Sequence, residues 1–517
     1  MKSKKKIYPV FYCFISILFG IMMVGILLIN LFISKKREFP CKKQFLLSNI
    51  ELLIIGIIVF SLSIFLYNKF IKKYVEKLTR KQCNILLFVY FVITFVMQIY
   101  LIQKIFFLSG WDVGQLRVAT DQIIKGLKLN RGNSYNYYFQ EYPNNLFLLF
   151  IFVLISNVSS LLNIDAHLLM AIVGALSVNI SIIMLVKIVG KVTKNKNICI
   201  LSIFVGTLFL MFSPWIVIPY SDTYAMLFTI SILYFYFNKE NINKYIWLSI
   251  LIILSLIGYK IKPTVIIVLI AIVIIEFWHW LFNRKKITFV KIIKYICSIV
   301  LGISVYGVVD ISLKHFLGYE KNTAIEMPMT HFMMMGMNEK TRGIFFYDDV
   351  EYTMSYKGIS NKKKANIDKI KQRMNDYGIS GYTQLLVDKS LINYDDGSFA
   401  WGIEGNFYLK IFNKNKSNIL KEIYYNEGNY YSYFETFLQC MWILILVMSL
   451  FSIFGIKNYK LLTIHLAIIG ITLFLLLFEA RARYLLLYAP YYLIMFSVGS
   501  FNLLKVLKYK CKSKMHL

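Results

Sequence analysis

The chain has 517 residues, of which 58% are hydrophobic and 16% charged, and its mean hydropathy is +0.60. Apolar runs of about 20 residues recur from end to end, which is the length that a helix needs to cross a bilayer. This composition excludes a soluble enzyme, a disordered chain and a small secreted domain, and the long uninterrupted runs exclude an outer-membrane barrel.

The net charge of +31 is unevenly distributed along the chain. The long polar stretch 311–433 holds 16 Lys and Arg against 14 Asp and Glu, so the excess lies in short basic clusters at helix ends. Such clusters suit anionic lipid headgroups, and no basic face with interleaved aromatic residues predicts a nucleic-acid partner. The seven cysteines are scattered without a CxxC pair, which excludes a disulfide framework and a zinc site.

The apolar pattern predicts twelve membrane-spanning helices. The first follows the lysine-rich segment Met1–Lys6 and extends to about Ile33; it is too long for a signal peptide and lacks a small-residue cleavage site. The other spans are predicted near residues 45–66, 84–108, 167–188, 198–217, 221–238, 244–259, 263–282, 290–311, 434–455, 459–478 and 483–504.

A thirteenth apolar segment, Leu146–Leu162, decides the topology. Without it, the basic clusters Lys69–Lys81, Lys187–Lys196, Arg284–Lys294 and Lys505–Lys514 all face the cytoplasm, as the positive-inside rule requires. We therefore interpret Leu146–Leu162 as a re-entrant or juxtamembrane helix. The five basic residues of the loop Ser34–Gln44 then lie outside, against the rule.

This topology predicts an all-α polytopic membrane protein with four parts. Residues 1–83 form a two-span module, and 84–311 form a transmembrane core with an outer loop at 109–145. A mixed extracytoplasmic region, 312–433, lies between the ninth and tenth spans. Residues 434–517 add three spans and a basic cytoplasmic tail. The predicted location is a bacterial plasma membrane.

Three carboxylates are predicted to share the outer face. Asp112 follows Trp111 between two glycines at the end of a span, where apolar surroundings would raise its pKa and favour a role as a base. Glu141 precedes Tyr142 in the same outer loop, and Asp222 opens a later span. The alternatives are a helix cap with an interfacial Trp at Asp112 and a helix N-cap at Asp222.

Two pairs of cations stand on the same predicted face. Lys260 and Lys262 separate two spans on a side that should be poor in positive charge, and such charges often serve a function. Arg481 and Arg483 separate two other spans and suit the geometry of a phosphate, although a salt bridge with Glu479 would also explain them. Snorkelling is the alternative for the lysines.

The large outer region adds His331 and Asp348 as possible acceptor-side residues, together with Trp111 and Tyr142 in the first outer loop. A lone histidine is more often structural than functional. No Gly-rich phosphate loop, catalytic triad or metal-ligand spacing stands out elsewhere in the chain.

In their order along the chain, these motifs resemble the GT-C superfamily of integral membrane glycosyltransferases. The motifs are Trp111-Asp112, Tyr142-Pro143, an outer-face Asp222 after Ser213-Pro214, Lys262-Pro263 and Arg481-x-Arg483-Tyr484. Bacterial relatives of protein O-mannosyltransferases and of aminoarabinose transferases are the most similar groups. The resemblance covers most of the chain in layout but only short motifs in sequence.

The resemblance implies inverting transfer of a sugar from a polyprenyl-phosphate donor to an acceptor in the cell envelope. Asp112 would accept the proton of the acceptor hydroxyl, while Asp222 and Glu141 orient the substrates. The donor phosphate would be held by the four cations, Lys260, Lys262, Arg481 and Arg483. No cofactor is required, and a divalent metal gains no support because the second acidic motif lacks the Asp-x-Asp pattern.

This sequence departs from the resemblance in two further places: Asn follows the Tyr-Pro motif, and three spans precede Asp112. Two other functions remain open. A surface-polysaccharide polymerase or ligase would depend on outer-face arginines and His331, whereas a transporter would need ionisable groups within spans, of which Asp310 is the chief candidate.

Overall fold

The computed structural model describes residues 4–34, 45–129, 136–283, 288–405, 407–412, 418–454 and 458–514. The basic loop between the first two predicted spans falls at 35–44, outside these residues, and so does part of the cluster Arg284–Lys294. The described chain is almost entirely helical and contains one two-stranded antiparallel sheet, in which β1 (Phe107–Ser109) pairs with β2 (Tyr408–Ile411).

Twenty α-helices follow one another along the described chain. They are α1 (Lys4–Phe32), α2 (Asn49–Leu66), α3 (Lys72–Lys77), α4 (Arg80–Ile105), α5 (Trp111–Ile124), α6 (Asn136–Glu141), α7 (Leu146–Leu162), α8 (Ala166–Thr193), α9 (Lys196–Gly206), α10 (Ser221–Phe237), α11 (Lys244–Ile261), α12 (Ile266–Asn283), α13 (Phe289–Leu317), α14 (Met329–Met335), α15 (Tyr347–Met354), α16 (Ile359–Tyr394), α17 (Ile419–Tyr424), α18 (Tyr431–Leu450), α19 (Leu461–Leu477) and α20 (Ala489–Lys514).

Ten helical segments of the described chain are long and apolar enough to cross a membrane, which confirms the class of helical polytopic membrane protein. Two more apolar segments, Lys196–Met211 and Leu461–Leu477, are shorter. The first of them ends at Met211, shortly before Ser213 and a 3₁₀ turn that begins at Pro214, because proline cannot continue a helix. The ten segments are 10–32, 49–77, 80–105, 143–162, 166–193, 244–261, 263–282, 289–317, 431–453 and 482–507.

Contacts at helix ends define two ends of the bundle. The Tyr224 hydroxyl at the start of α10 donates to the Met170 carbonyl near the start of α8, 2.7 Å away. Lys191 near the end of α8 donates to Asn238, which follows α10, at 3.1 Å. These two helices therefore run in the same direction, from what we call the upper end to the lower end.

Helix α7 has both of its ends at the upper end of the bundle. It begins after Asn145, which bonds to Tyr138 in the outer loop, and it leads within three residues to Asp165, the N-cap of α8. Between these points its aromatic rings contact Tyr224 at the start of α10 and Phe316 at the end of α13. The helix thus lies across the upper end of the bundle.

The region 312–433 packs onto the upper end and shares the core of the bundle. Its segment Tyr394–Trp401 is buried, and indole N–H groups of the bundle hold its backbone: Trp442 donates to the Tyr394 carbonyl at 2.8 Å and Trp215 to the Ser398 carbonyl at 2.9 Å. Earlier in the same region, the Gly343 carbonyl accepts a hydrogen bond from the Ala480 amide at 2.8 Å. The region is therefore anchored to the segment that separates α19 from α20.

Candidate functional site

Asp112 lies in the first turn of α5, and backbone contacts fix its position. The Gly110 amide donates to the Phe407 carbonyl at 3.3 Å, and a Cβ atom on Gly110 would lie 1.8 Å from the Phe407 ring. A side chain at position 110 would therefore require the Phe407 ring to move. The following residue, Trp111, has a left-handed φ of 51°, remains 48% exposed and contacts the same phenylalanine ring.

Two tyrosine hydroxyls donate to the Asp112 carboxylate. Tyr138 from α6 reaches Oδ1 at 2.8 Å, and Tyr220 from the turn before α10 reaches Oδ2 at 3.2 Å. Asn145 in turn donates to the Tyr138 hydroxyl at 2.6 Å. Burial and the charge of Asp112 raise the pKa of Tyr138 well above its usual value, so this phenol stays a donor. Both oxygens of Asp112 are thus held by neutral groups.

Asp222 is fully buried and binds two cations. Its Oδ1 accepts a bond from Lys262, the residue between α11 and α12, and its Oδ2 lies 3.1 Å from Nη1 of Arg483. Burial lowers the pKa of Lys262 to about 8, although the carboxylate of Asp222 opposes this shift. A buried charge needs such a partner, because an unpaired one would be costly to desolvate.

Glu404 links Arg481 and Arg483, the two arginines in the turn before α20. Its Oε2 lies 3.0 Å from Nε of Arg483 and 3.0 Å from Nη1 of Arg481, and Arg481 also donates from Nε to Glu479 at 2.6 Å. Burial alone would raise the pKa of Glu404, but the two guanidinium groups hold it below its usual value. Both arginines thus share one carboxylate, whose side chain is 14% exposed.

Aromatic rings line the same cluster. The guanidinium of Arg483 lies 3.6 Å from the ring centroid of Tyr220, and Lys262 lies 4.0 Å from that of Tyr484. Rings in these positions attract cations through their quadrupole. Since Tyr220 also donates to Asp112, it connects the carboxylate of α5 to the cations.

These residues form one site, which we call the charged cluster. It contains four carboxylates and three cations, and it lies at the upper end where five parts of the chain meet: the outer loop, the start of α10, the turn after α11, the turn Trp401–Gly405 and the turn before α20. Its charged members are Asp112, Asp222, Lys262, Glu404, Glu479, Arg481 and Arg483.

The structure does not bring Lys260 into the charged cluster. Its Nζ lies 2.6 Å from Asp310, which also binds Lys314 on the same helix at 2.7 Å, and it lies over the Tyr306 ring. Lys260 belongs to the last turn of α11, whereas Lys262 has an extended backbone after that helix. The same contacts show that Asp310, the residue considered for a transporter, is paired with two lysines.

Two other predicted residues, Tyr142 and Glu141, lie in the surroundings of the cluster. Tyr142 packs between the rings of Tyr138 and Phe332, with centroids at 5.3 and 6.4 Å. Glu141 is hydrogen-bonded to Tyr137 and interacts electrostatically with Lys362, and burial raises its pKa. It therefore faces the outer region, and neither Tyr137 nor Lys362 belongs to the charged cluster.

His331 and Asp348 lie within the outer region. His331 is buried, with Nδ1 at 2.8 Å from the Thr353 hydroxyl, and burial lowers its pKa to about 4. Asp348 is exposed on the first turn of α15, while its neighbour Asp349 is buried and binds Arg373 at 2.6 Å. The acidic pair thus contains one structural and one exposed carboxylate.

Sequence reasoning missed Tyr138, Tyr220 and Glu404. Glu404 lies between Gly402 and Gly405. Both glycines are tightly packed, because a Cβ on Gly402 would lie 2.4 Å from the Tyr431 hydroxyl and one on Gly405 would lie 2.0 Å from the Trp401 ring. An acid flanked by glycines, as Asp112 also is, was a sequence signal that could have identified it.

Among the described residues, no group of three or more His, Cys, Asp or Glu side chains is arranged to hold a metal ion. The fold and the cluster together define a polytopic helical membrane protein with a charged, buried site at one end of its bundle. Residues 1–502 match the family described as "Conserved hypothetical integral membrane protein", and the chain belongs to this family. No curated protein and no solved structure matches the chain significantly.

Proposed function

We propose that the protein is a membrane glycosyltransferase that moves a sugar from a polyprenyl-phosphate donor to an extracytoplasmic acceptor by inverting displacement. One observation carries this proposal: a carboxylate held by two neutral hydroxyls lies beside three cations in one partly buried site. Tyr220 donates to Asp112, and its ring centroid lies 3.6 Å from the guanidinium of Arg483, so the carboxylate and the cations share one neighbour.

In this proposal Asp112 is the general base. It accepts the proton of the acceptor hydroxyl as that oxygen attacks the anomeric carbon, and the bond from the anomeric carbon to the phosphate oxygen breaks with its electron pair going to the phosphate. The hydroxyls of Tyr138 and Tyr220 orient the carboxylate. A general base positioned in this way contributes about 10²- to 10⁴-fold to a rate.

Arg481 and Arg483 would stabilise the departing phosphate. Each arginine uses Nε and Nη1 for carboxylates. Among the described residues, no acceptor takes a hydrogen bond from Nη2 of either arginine. Glu404 and Asp222 hold the guanidinium planes in place, and Lys262 adds a third positive charge. Cations fixed before the reaction lower the barrier because they need no reorganisation as charge develops.

The same proposal assigns the upper end of the bundle to the extracytoplasmic face. The lower end receives the basic clusters Lys69–Lys81 and Lys187–Lys196, as the positive-inside rule requires of a cytoplasmic face. With α7 lying across the upper end, twelve helices cross the membrane: the nine other long segments, the two shorter apolar segments, and α10. A cysteine introduced at either of the exposed upper-end positions Trp111 and Asp348 should then react with an impermeant reagent from outside, and one at the exposed lower-end position Tyr74 should not.

The decisive experiment compares Asp112→Asn with the wild-type protein in transfer of sugar from lipid-linked donors. We expect a rate loss of at least about 100-fold with normal membrane insertion. Asp376→Asn, which changes an exposed carboxylate on α16, is the matched control and should retain activity. Full activity of Asp112→Asn would overturn the assignment of the base.

The polymerase or ligase alternative makes the opposite prediction. It would require His331→Ala to abolish function while Asp112→Asn leaves it intact. The burial of His331 and its bond to Thr353 favour a structural role, so we rank this alternative second.

A further inference from the structure

Lys389 is a buried cation that belongs neither to the charged cluster nor to the proposed transfer step. It lies on α16 in the outer region and is 0% exposed. Its Nζ donates to two backbone carbonyls, that of Gly336 at 2.8 Å and that of Phe478 at 2.5 Å. The outer region supplies the first carbonyl, and the segment between α19 and α20 supplies the second.

Both carbonyls lie at the ends of helices. Gly336 directly follows α14, and Phe478 directly follows α19. The last carbonyls of a helix have no partner within that helix, and a lysine placed there satisfies them and interacts favourably with the helix dipole. Lys389 therefore ties the end of a helix of the outer region to the end of an apolar helix of the bundle.

Two glycines bring the backbone of the outer region against the same segment. A Cβ on Gly336 would lie 2.4 Å from the Phe478 carbonyl oxygen. Gly343 has a φ of 83°, and a Cβ there would lie 2.6 Å from the Gly336 oxygen and 3.2 Å from Cε of Lys389. The Gly343 carbonyl also accepts the bond from the Ala480 amide. Residues 478–480 are thus held by the outer region through two backbone positions.

The held segment leads directly to Arg481. Glu479 is 5% exposed, and its Oε1 accepts a bond from Nε of Arg481 at 2.6 Å. Because Glu479 shares a peptide bond with Phe478, a shift of the Phe478 carbonyl would move the backbone of Glu479. The carboxylate that orients the guanidinium would then move as well.

The burial of Lys389 is costly. Burial lowers its pKa to about 7, although the charge of Glu479 opposes this shift. An apolar side chain of similar length would fill the same space at a smaller cost. The two bonds to carbonyls are therefore what the lysine adds at this position.

We propose that Lys389 is a positioning residue of the charged cluster: by tying the Phe478 carbonyl to the end of α14, it holds Glu479 and Arg481 in the orientation that stabilises the departing phosphate. The effect on rate rests on the proposed function. The hold on the turn that carries the arginines can be measured without any transfer reaction.

Hydrogen exchange of the full-length protein in detergent, followed by mass spectrometry of its peptides, measures this hold. In Lys389→Met, peptides that cover 478–488 should exchange at least about tenfold faster than in the wild type, because a bond from a charged donor is lost. Peptides from Ser221–Phe237 should not change. Lys389→Gln keeps a shorter, neutral donor and replaces the methionine variant if that variant does not fold, with an expected increase of several-fold.

Lys362 provides the matched control. It lies on the same helix, is also 0% exposed and donates to the Ile325 carbonyl at 3.0 Å, within the outer region. Lys362→Met should lower the melting temperature but change neither the exchange of 478–488 nor kcat. Lys389→Met should lower kcat about tenfold and leave the donor KM within about twofold, a split that a general loss of stability does not produce.

The two measurements separate this inference from the proposed function. Unchanged exchange of 478–488 in both Lys389 variants would overturn the hold on the turn. Faster exchange with a wild-type kcat, or an equal fall of kcat in Lys362→Met, would overturn the positioning role. A wild-type protein that transfers no sugar from lipid-linked donors would remove the proposed function and the positioning role together, whereas the exchange result would still decide whether Lys389 holds the turn.

Discussion

Glu404 and Arg483 lie 79 residues apart in the chain, yet Oε2 of the glutamate lies 3.0 Å from Nε of the arginine. Glu404 comes from a π-helical turn, Trp401–Gly405, that follows a buried part of the outer region. Arg483 comes from the turn between the last two apolar helices. The contact makes the outer region a structural part of the charged cluster.

The role of Glu404 can be tested with Glu404→Gln, which preserves volume and removes the charge. We expect kcat to fall at least about tenfold, because both arginines lose their shared partner and their orientation. The donor KM should stay constant or fall, since the freed guanidinium groups bind phosphate more readily.

Glu351→Gln on the exposed face of α15 is the control for this measurement and should change neither parameter. A Glu404→Gln enzyme that lost only stability, with kcat unchanged at a temperature where it is folded, would limit Glu404 to a structural role.

The buried ion pair of Lys262 and Asp222 should be important for stability. Lys262→Met removes one of the two cations bound to a fully buried carboxylate, and breaking such a pair costs about 3–5 kcal/mol. Thermal unfolding in detergent measures the loss. The double variant Lys262→Met with Asp222→Asn should recover part of it, because the carboxylate that has lost one of its two cations is then replaced by a neutral amide.

An exposed ion pair is the matched comparison. Lys72 and Glu76 lie 3.9 Å apart on α3 with side chains 31% and 56% exposed, and Lys72→Met should cost less than about 1 kcal/mol. Equal losses for Lys72→Met and Lys262→Met would contradict the importance of burial.

The two tyrosines at Asp112 should affect the rate of transfer more than substrate binding. Tyr138→Phe and Tyr220→Phe each delete one hydrogen bond to the carboxylate and keep the ring, including the ring on which Arg483 stacks. A bond to a charged group contributes about 1.5–3 kcal/mol, so each variant should slow kcat about tenfold or more.

Tyr74→Phe on the exposed surface of α3 serves as the control for both tyrosine variants. The proposal that these hydroxyls orient the base would fail if both variants kept the wild-type kcat, and a rise in KM alone would instead indicate contact with substrate.

The pH dependence of stability should report on His331. Burial and, to a smaller extent, the charge of Lys362 lower its pKa to about 4 in the folded protein, from about 6.5 in the unfolded chain. The charge of Asp349 opposes this shift. The unfolded state therefore binds more protons between these values, and stability falls as the pH drops from about 6.5 to 4.

The size of this loss follows from the shift, at about 1.4 kcal/mol per pKa unit, and amounts to about 3 kcal/mol. Measured melting temperatures of the wild type and His331→Gln should diverge across this range, with the wild type losing more. Parallel curves for the two proteins would show that His331 does not titrate in this way.

The sequence was most informative where a local motif also lies in the site. Asp112, Asp222, Lys262, Arg481 and Arg483 were all selected from charges at the ends of apolar runs, and the structure gathers these five side chains. Glu404 was missed because it lies within the long polar region 312–433, far from the end of any predicted span. Its importance comes from contacts with residues far along the chain.

Lys260 and Lys262 show where local reasoning ended. They are two residues apart, but α11 includes the first and stops before the second, so one reaches Asp310 on α13 and the other reaches Asp222 on α10. Successive helical residues point about 100° apart, and a helix end changes the direction again. Proximity in sequence therefore did not predict a shared site.

The sequence by itself determined that this is a helical membrane protein, because a backbone in lipid must satisfy its hydrogen bonds within each segment and long apolar runs leave the helix as the solution. It also determined which charges stand at the ends of those runs. Only the tertiary structure decided which carboxylate pairs with which cation. Those choices depend on packing between segments that are distant in the chain, and local composition does not encode them.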